Sequence, residues 1–132
     1  MREILFRGKR KFPRWQFDNI WVDGYLLRYE DGDCDICSPS GPDELYKYSV
    51  HPSTVGQFTG LTDRNGTKIF EGDIVNILTE NEESGVVEWE NGGFVVNADG
   101  FCVDFHTNIN GTDLEVIGNI HDNPELISEG KA

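Results

Sequence analysis

The sequence lacks long apolar runs and contains few cysteines. No stretch approaches the roughly 20 consecutive apolar residues that span a bilayer, and the opening segment Met1–Lys9 lacks the apolar run of a signal peptide. Three cysteines are an odd number and too sparse for the disulfide framework of a small secreted domain. Such sparse usage fits a reducing compartment. We therefore expect a cytoplasmic protein that does not enter membranes.

Positive charge is also scarce, and it is unevenly placed. The 132 residues include 11 Lys and Arg against 24 Asp and Glu, for a formal net charge of −13. Six of the cations lie in the first fourteen positions, whereas the segment Ile69–Gly130 has fourteen acidic residues and no Lys or Arg. That segment repels phosphate backbones and anionic membranes over a Debye length of about 8 Å. We expect an electrically bipolar molecule.

Motifs of the common enzyme classes are missing. The chain has no Walker loop, no Gly-x-Gly-x-x-Gly and no His-Glu-x-x-His, and its histidines, His51, His106 and His121, are scattered. In so acidic a chain some carboxylates lie close together by chance, so their proximity is weak support for acid–base catalysis. The sequence therefore predicts a protein that is not an enzyme and binds no cofactor.

Helical periodicity is rare, whereas turn dipeptides recur along the chain. Apolar or β-branched runs separate Asp-Gly and Asn-Gly pairs, a spacing typical of hairpins. One short helix is predicted at Asn123–Ile127, where Asn, Pro and an acidic residue suit the first turn, and a single turn is predicted near Asp43–Tyr46. The fold class is thus mainly β, or α+β with minimal helix. The candidate strands are Ile4–Gly8, Trp21–Tyr29, Tyr46–Val50, Val55–Leu61, Lys68–Phe70, Ile74–Leu78, Gly85–Trp89, Gly93–Asn97, Phe101–Phe105 and Leu114–Ile120.

The length favours one domain, 1–132, built on a single core. A subdivision into an N-terminal β lobe, 1–50, and a barrel-like lobe, 51–132, is the alternative to one undivided body. The polar stretch Asp31–Asp43 predicts a long loop between the first strands and the rest. From Lys68 onward, five short strands with tight turns resemble a small SH3-like barrel, in which Gly72-Asp73 would bend the chain before a strand.

The N-terminal segment mixes cations with aromatic rings such as Phe6, Phe12 and Phe17. This combination suits single-stranded nucleic acid or an acidic protein surface, and the negative net charge favours the protein partner. In the alternative interpretation the rings are packing residues and the cations form a solvated rim. The candidate partner-binding residues are Arg7, Lys9, Arg10, Lys11, Arg14 and Trp15.

The cysteines suggest a second, weaker hypothesis. Cys34 and Cys37 have the C-x-x-C spacing of a zinc or redox site, and Cys102 with His106 would complete a tetrahedral set. The two pairs are far apart in the sequence, and no helix N-terminus supports a redox motif. Buried or incidental thiols are the simpler interpretation, so the sequence predicts no metal site.

Four blocks of the sequence resemble one known family. They are Arg2–Lys9, Trp21–Leu26, Val55–Val75 and Glu115–Leu126, and in this order they resemble the YopX family of phage and prophage proteins. The resemblance implies a gene carried by a bacteriophage or prophage, a mainly β fold and homo-oligomerisation. It implies no established activity, so no catalytic residue is carried over. The stretch Asp31–Asp43 corresponds least, and its cysteines are not credited to the family.

The sequence as a whole predicts a phage-encoded, homo-oligomeric interaction or assembly module that contacts other copies of itself and a host or phage protein. One alternative is a small nucleic-acid-binding protein that uses the basic and aromatic N-terminal segment. Another is an acidic DNA mimic that inhibits a host protein. The tract Glu80–Glu83 is consistent with such mimicry, but it is also what a solvated hairpin tip looks like.

Overall fold

The computed structural model describes residues 4–12, 20–38, 47–78, 83–98, 101–104 and 110–128. Within these ranges the chain forms antiparallel strands and one short helix, which confirms the predicted mainly β fold and C-terminal helix. Among the described residues, no helix has the length and apolar character needed to cross a membrane. The elements are β1 (Phe6–Lys9), β2 (Trp21–Arg28), β3 (Cys34–Cys37), β4 (Lys47–Val50), β5 (Gly56–Thr62), β6 (Lys68–Phe70), β7 (Asp73–Ile77), β8 (Glu83–Glu90), β9 (Gly93–Ala98), β10 (Phe101–Asp104), β11 (Leu114–Asn119) and α1 (Glu125–Ser128).

The chain divides into two compact units, Met1–Phe58 (unit 1) and Thr59–Ala132 (unit 2). The boundary falls inside β5, whose first residues pair with β1 and which also neighbours β6. The predicted turn at Asp43–Tyr46 lies outside the described residues.

Unit 1 is an antiparallel sheet that closes on itself. Its strand order is β4-β3-β2-β1-β5, and a bridge between Arg10 and Val50 joins the end of β1 back to β4. Backbone hydrogen bonds flank the bridge, from Lys11 N–H to the Ser49 carbonyl and from His51 N–H to the Lys9 carbonyl, both 2.9 Å. Close approach of β1 and β4 requires glycine at position 8, because a Cβ there would lie 2.8 Å from Cγ2 of Val50.

The interior of unit 1 includes a strand that the sequence did not predict. Cys34 and Ile36 of β3 are fully buried with Val50, although they belong to the stretch Asp31–Asp43 that was predicted as a loop. The loop prediction is therefore wrong for residues 34–37. Two apolar residues that alternate with aspartates are too short a pattern to identify a strand. Residues 34–37 form a strand because they pair with β2 and β4, which are distant in the sequence.

Unit 2 contains a five-stranded antiparallel sheet in the order β10-β9-β8-β7-β11. Residues of the β5–β6 hairpin pack on its core. Gly72, at the predicted bend directly before β7, has a φ of 92°. The order has β10 and β11 as its outer strands and does not confirm the SH3-like barrel predicted for this part. The core consists of Ile69, Val75, Ile77, Val87, Phe94, Val96 and Leu114.

The turn between β5 and β6 is organised by a buried carboxylate. Oδ1 of Asp63 accepts hydrogen bonds from the backbone N–H of Asn65 (2.8 Å) and of Thr67 (3.0 Å). Gly66 follows with a φ of 83°, a conformation that glycine adopts without steric cost. The predicted Asn65-Gly66 turn is thus present, and the carboxylate of Asp63 accepts hydrogen bonds from backbone N–H groups of this turn.

Candidate partner-binding surface

Four of the six predicted partner-binding residues lie within the described ranges. Arg7 and Lys9 belong to β1, and Arg10 and Lys11 continue it toward the bridge with β4. We call the segment Arg7–Lys11 the basic strand. Arg14 and Trp15 lie outside the described residues.

The basic strand presents its cations on both faces of the unit 1 sheet. Gly8 faces the interior beside Val50, so its neighbours Arg7 and Lys9 project outward, because successive strand residues alternate between faces. Lys9 is opposite Trp21 on β2. Arg10 instead lies beside Tyr48, which packs against the interior cluster.

Two of these cations lie over aromatic rings of their own unit. The guanidinium carbon of Arg7 is 4.8 Å from the ring centroid of Trp21, and that of Arg10 is 4.6 Å from the centroid of Tyr48. Nε and Nη2 of Arg7 are buried. Each such stack contributes roughly 0.5–1 kcal/mol at exposed sites and more when desolvated. Both guanidinium groups are therefore held at defined positions on the sheet.

Lys11 carries a charge that a partner can capture. Its Nζ lies 3.3 Å from Oδ1 of Asp33, and the two side chains are 24% and 57% exposed. A pair this open to solvent contributes about 1 kcal/mol at most and is screened by salt. Lys11 can thus exchange Asp33 for a carboxylate of a partner at small free-energy cost.

An aromatic surface that sequence reasoning did not single out lies on β2. Val22 and Leu26 pack inward, so the alternation of the strand directs Tyr25 and Leu27 outward. The exposed fractions of Tyr25, Leu27 and Tyr29 are 60%, 37% and 44%. We call these three residues the β2 outer face, although Tyr29 directly follows the strand. In the sequence, Trp21–Tyr29 has apolar residues at both odd and even positions, a pattern typical of strands that are covered on both faces. This pattern was the one indication that both faces of the strand carry apolar side chains.

Polar and charged groups border the β2 outer face. Cys37 pairs with Tyr25 on one side and with Lys47 on the other, so the exposed Lys47 lies in the same row as Tyr25. At the far end the Tyr29 hydroxyl donates a hydrogen bond to Oδ2 of Asp35 at 2.7 Å. This hydrogen bond raises the pKa of Tyr29, with smaller contributions from desolvation and from the negative charge of Asp35. Asp35 is therefore engaged by its own unit.

Trp89 is an exposed ring of unit 2. Trp89, near the end of β8, is 51% exposed and contacts Phe94 edge to face, with ring centroids 4.8 Å apart and planes at 78°. Asn91 and Gly92 form the turn that follows, with φ values of 52° and 84°. Glu88 and Glu90 precede and follow Trp89 on the strand and therefore project from its opposite face, where Asn97 donates a hydrogen bond of 3.3 Å to Glu88. We call β8, this turn and β9 the Trp89 hairpin.

The charge of the chain is divided unequally between the units. Unit 1 has eight Lys and Arg and nine Asp and Glu, whereas unit 2 has three Lys and Arg and fifteen Asp and Glu. Almost the whole net charge of −13 therefore belongs to unit 2. Unit 1 is close to neutral, and its positive character is local to the basic strand.

The C-x-x-C pair does not converge on one point. Cys34 and Cys37 are three residues apart on β3 and so face opposite sides of the sheet, with Cys34 fully buried and Cys37 half-buried. Both are free thiols. Within the part of the chain that the structure describes, no three His, Cys, Asp or Glu side chains are grouped closely enough to hold a metal ion. The Cys102 side chain and His106 lie outside the described residues.

Comparison with known proteins places the chain in a family. Among solved structures it is similar to the crystal structure of protein EF1440 from Enterococcus faecalis, with a TM-score of 0.55 and 22% identity over 96% of this chain and 99% of that chain. At this identity the likeness shows a shared fold. No match was found among curated proteins. A family model described as YopX protein matches residues 6–128, and because the match spans nearly the whole sequence, the chain belongs to the YopX family.

Proposed function

We propose that this protein is a non-enzymatic interaction module, encoded by a phage or prophage, that assembles with copies of itself in the cytoplasm. The observation that carries the proposal is the unequal charge of the two units. Unit 2 holds fifteen acidic residues against three basic ones, and unit 1 holds the clustered cations of the basic strand. When the basic strand of one copy packs against unit 2 of the next, its cations lie near the carboxylates of that unit. The electrostatic interaction between the two copies is then attractive instead of repulsive.

The state of the basic strand supports a docking role. The guanidinium group of Arg10 is positioned by Tyr48, so little side-chain entropy is lost when a carboxylate binds it. Lys11 is held by an exposed pair that exchanges readily. We include Arg14 and Trp15, next along the chain, in the proposed contact segment.

Salt dependence tests the proposal. The molar mass in solution, measured by light scattering, is expected to exceed that of the monomer at low salt and to fall as salt is raised toward 1 M, because exposed charges are then screened within about 3 Å. Replacement of Lys9, Arg10 and Lys11 by Ala is expected to weaken assembly at low salt. Lys68→Ala is the control, since Lys68 is an exposed cation outside the basic strand. A monomer under all conditions would refute self-assembly, and an oligomer indifferent to salt would refute electrostatic docking.

A second candidate function is binding of single-stranded nucleic acid by the same segment. The juxtaposition of Arg7 with Trp21 and of Arg10 with Tyr48 favours it, because cation and ring together suit a phosphate and a base. The triple replacement of Lys9, Arg10 and Lys11 by Ala would then weaken binding of a labelled oligonucleotide and flatten its salt dependence. Unchanged binding would exclude the basic strand as the site.

An acidic DNA mimic is the third candidate, and the charge of unit 2 favours it. Its acidic residues extend over Ile69–Gly130 without one Lys or Arg, as a surrogate for a phosphate backbone requires. The test is competition with duplex DNA for a basic DNA-binding protein of a bacterial host. Failure to displace DNA at low salt would argue against mimicry.

A further inference from the structure

We propose that Asn91 is a site of spontaneous deamidation, which the fold selects from among the Asn-Gly pairs of the chain. In such a pair the glycine nitrogen can attack the asparagine side chain, because glycine has no Cβ to obstruct the approach. A preference among chemically similar pairs in the native protein therefore reports the fold, and it does not depend on self-assembly. The sequence contains three of these pairs, Asn65-Gly66, Asn91-Gly92 and Asn110-Gly111.

The reaction at Asn91 consumes water and releases ammonia. A base removes the proton of the Gly92 N–H, and the nitrogen then attacks Cγ of Asn91. The new N–Cγ bond closes a succinimide ring while the Cγ–Nδ2 bond breaks and ammonia leaves. Water adds to one of the two ring carbonyls: cleavage of the N–Cγ bond gives aspartate, whereas cleavage at the main-chain carbonyl gives isoaspartate. The site must therefore offer an accessible N–H and a backbone that can rotate.

The tip of the Trp89 hairpin meets both requirements. Asn91 and Gly92 are exposed, and they are the two turn residues between Glu90 and Gly93, which pair with each other. Within the described ranges, no backbone carbonyl accepts a hydrogen bond from the Gly92 N–H. The φ of Asn91 is 52°, which is uncommon for a residue with a side chain, so Asn91 leaves this conformation at small cost.

The contacts of Asn65-Gly66 hold that pair in place. The N–H of Gly66, which would be the attacking nitrogen, donates a hydrogen bond of 3.0 Å to the carbonyl of Asp63. The N–H of Asn65 donates to Oδ1 of Asp63 at 2.8 Å, and its Nδ2 donates to Oε2 of Glu115 at 3.4 Å. Succinimide formation at Asn65 thus requires prior opening of the turn, and the free energy of that opening slows the reaction.

Burial protects the pair Asn110-Gly111. Gly111 is buried, and even a Cβ at this position would collide with the carbonyl oxygen of Thr62. The N–H of Asn110 donates to Oδ2 of Asp113 at 3.2 Å, and its carbonyl accepts a hydrogen bond of 2.9 Å from the Asp113 N–H. The Gly111 nitrogen is thus shielded from base and cannot turn toward the Asn110 side chain without local unfolding.

Deamidation of Asn91 changes the hairpin in two ways. Both products replace an amide by a carboxylate, which is ionised at neutral pH and adds a negative charge to unit 2. Isoaspartate also lengthens the main chain by one carbon atom, and a two-residue turn fits its strands only in a specific geometry. Trp89 pairs with Phe94 next to the turn, with ring centroids 4.8 Å apart. We expect this end of the hairpin to loosen when isoaspartate forms.

The experiment follows all three pairs in the same molecules. The native protein is incubated at mildly alkaline pH and digested with pepsin in acid, where the reaction is slow. The peptides are compared with synthetic standards that contain Asn, Asp or isoaspartate. Asn91 is expected to react at least about tenfold faster than Asn65 or Asn110, the ratio produced by a difference of about 1.4 kcal/mol in opening free energy. In denaturing urea the three rates should become similar, which controls for flanking sequence.

Two variants test the reason for the preference. Asp63→Asn is expected to accelerate deamidation of Asn65 and to leave the rate at Asn91 unchanged, because it weakens only the turn that contains Asn65. Asn91→Gly keeps a residue that suits the hairpin turn and removes the reactive amide. On anion exchange the incubated native protein should develop a more acidic species that Asn91→Gly lacks.

Several results would overturn the proposal. Equal rates at the three pairs in the folded protein, or a faster reaction at Asn65 or Asn110, would show that the fold does not select Asn91. The same order and ratio of rates in urea would assign the preference to flanking sequence. An unchanged rate at Asn65 in Asp63→Asn would contradict protection by the turn, and an equal amount of the acidic species in Asn91→Gly would place the modification elsewhere.

Discussion

The backbone N–H of Val116 donates a hydrogen bond of 2.9 Å to Oδ2 of Asp63, across 53 residues of sequence. Val116 lies on β11, an outer strand of the unit 2 sheet. The next residue of the turn, Arg64, donates its N–H to the carbonyl of Leu114 at 3.0 Å. The β5–β6 turn therefore covers part of the outer backbone of β11, a position at which an uncovered strand would invite aggregation.

Replacing Asp63 by Asn is expected to destabilise the protein by about 1–3 kcal/mol, the cost of leaving a buried donor unsatisfied. The carboxylate accepts hydrogen bonds from Asn65, Thr67 and Val116, whereas an amide would turn an NH₂ group toward one of those donors. Urea unfolding measures the change. Asp31→Asn is the matched control, because Asp31 is exposed and accepts a local turn hydrogen bond from the N–H of Asp33. Equal effects of the two substitutions would contradict this account.

The contribution of Asp63 is expected to depend on pH. Burial alone would raise the pKa of Asp63, but the hydrogen bonds from Val116, Thr67 and Asn65 and the charge of Arg64 together lower it. Because the folded pKa lies below the unfolded value of about 3.9, the stabilisation is full above that value. It is lost as the pH falls through the folded pKa, since the unfolded chain takes up the proton first.

Urea unfolding at several pH values measures this effect. The difference in free energy of unfolding between the native protein and Asp63→Asn should be constant from pH 7 to about pH 5 and shrink below about pH 4. A difference that stays constant down to pH 3 would show that the charge of Asp63 has no part in it.

Gly24→Ala is expected to disrupt the pairing of β2 with β3. A Cβ at position 24 would lie 2.1 Å from the carbonyl oxygen of Cys37, and a backbone atom cannot rotate away as a side chain can. Overpacking of this kind costs about 1–3 kcal/mol and sometimes more. The adjacent exposed Asp23→Ala should change stability by less than about 0.5 kcal/mol. A Gly24→Ala protein as stable as Asp23→Ala would refute the close approach.

The thiols of β3 are expected to differ in reactivity. Cys34 is fully buried and Cys37 is half-buried on the opposite face, so iodoacetamide should modify Cys37 first, with the sites identified by peptide mass spectrometry. In denaturing urea the two should react at similar rates, because the difference comes from burial. Faster modification of Cys34 in the native protein would place it at the surface.

Most strands could be predicted from the sequence because apolar runs alternate with Asn-Gly and Asp-Gly turns, and both are local signals. The missed strand β3 has only Cys34 and Ile36 as inward residues and aspartates around them, so its identity depends on pairing with β2 and β4. The bridge between Arg10 and Val50 could likewise not be predicted from local sequence patterns. It joins two segments that are forty residues apart in the chain.

The candidate surface was predictable in part, since clustered cations stand out in an acidic chain. Their contacts were not, because Trp21 and Tyr48, the rings beneath Arg7 and Arg10, come from other strands. The exposure of Tyr25 and Tyr29 could not be anticipated either. The sequence pattern of an apolar strand residue is the same whether its face is covered by the same chain or exposed to a partner.

The bridge between Arg10 and Val50 gives each of the strands β1 to β4 a neighbour on both flanks. At the Val50 end of β4, the carbonyl of Ser49 and the N–H of His51 are bonded to Lys11 and Lys9, so an extended peptide cannot join β4 at that point. Recognition there has to use side chains. Its choice of partner can consequently change by substitutions at single outward positions, while the hydrogen-bonded scaffold beneath them is left intact.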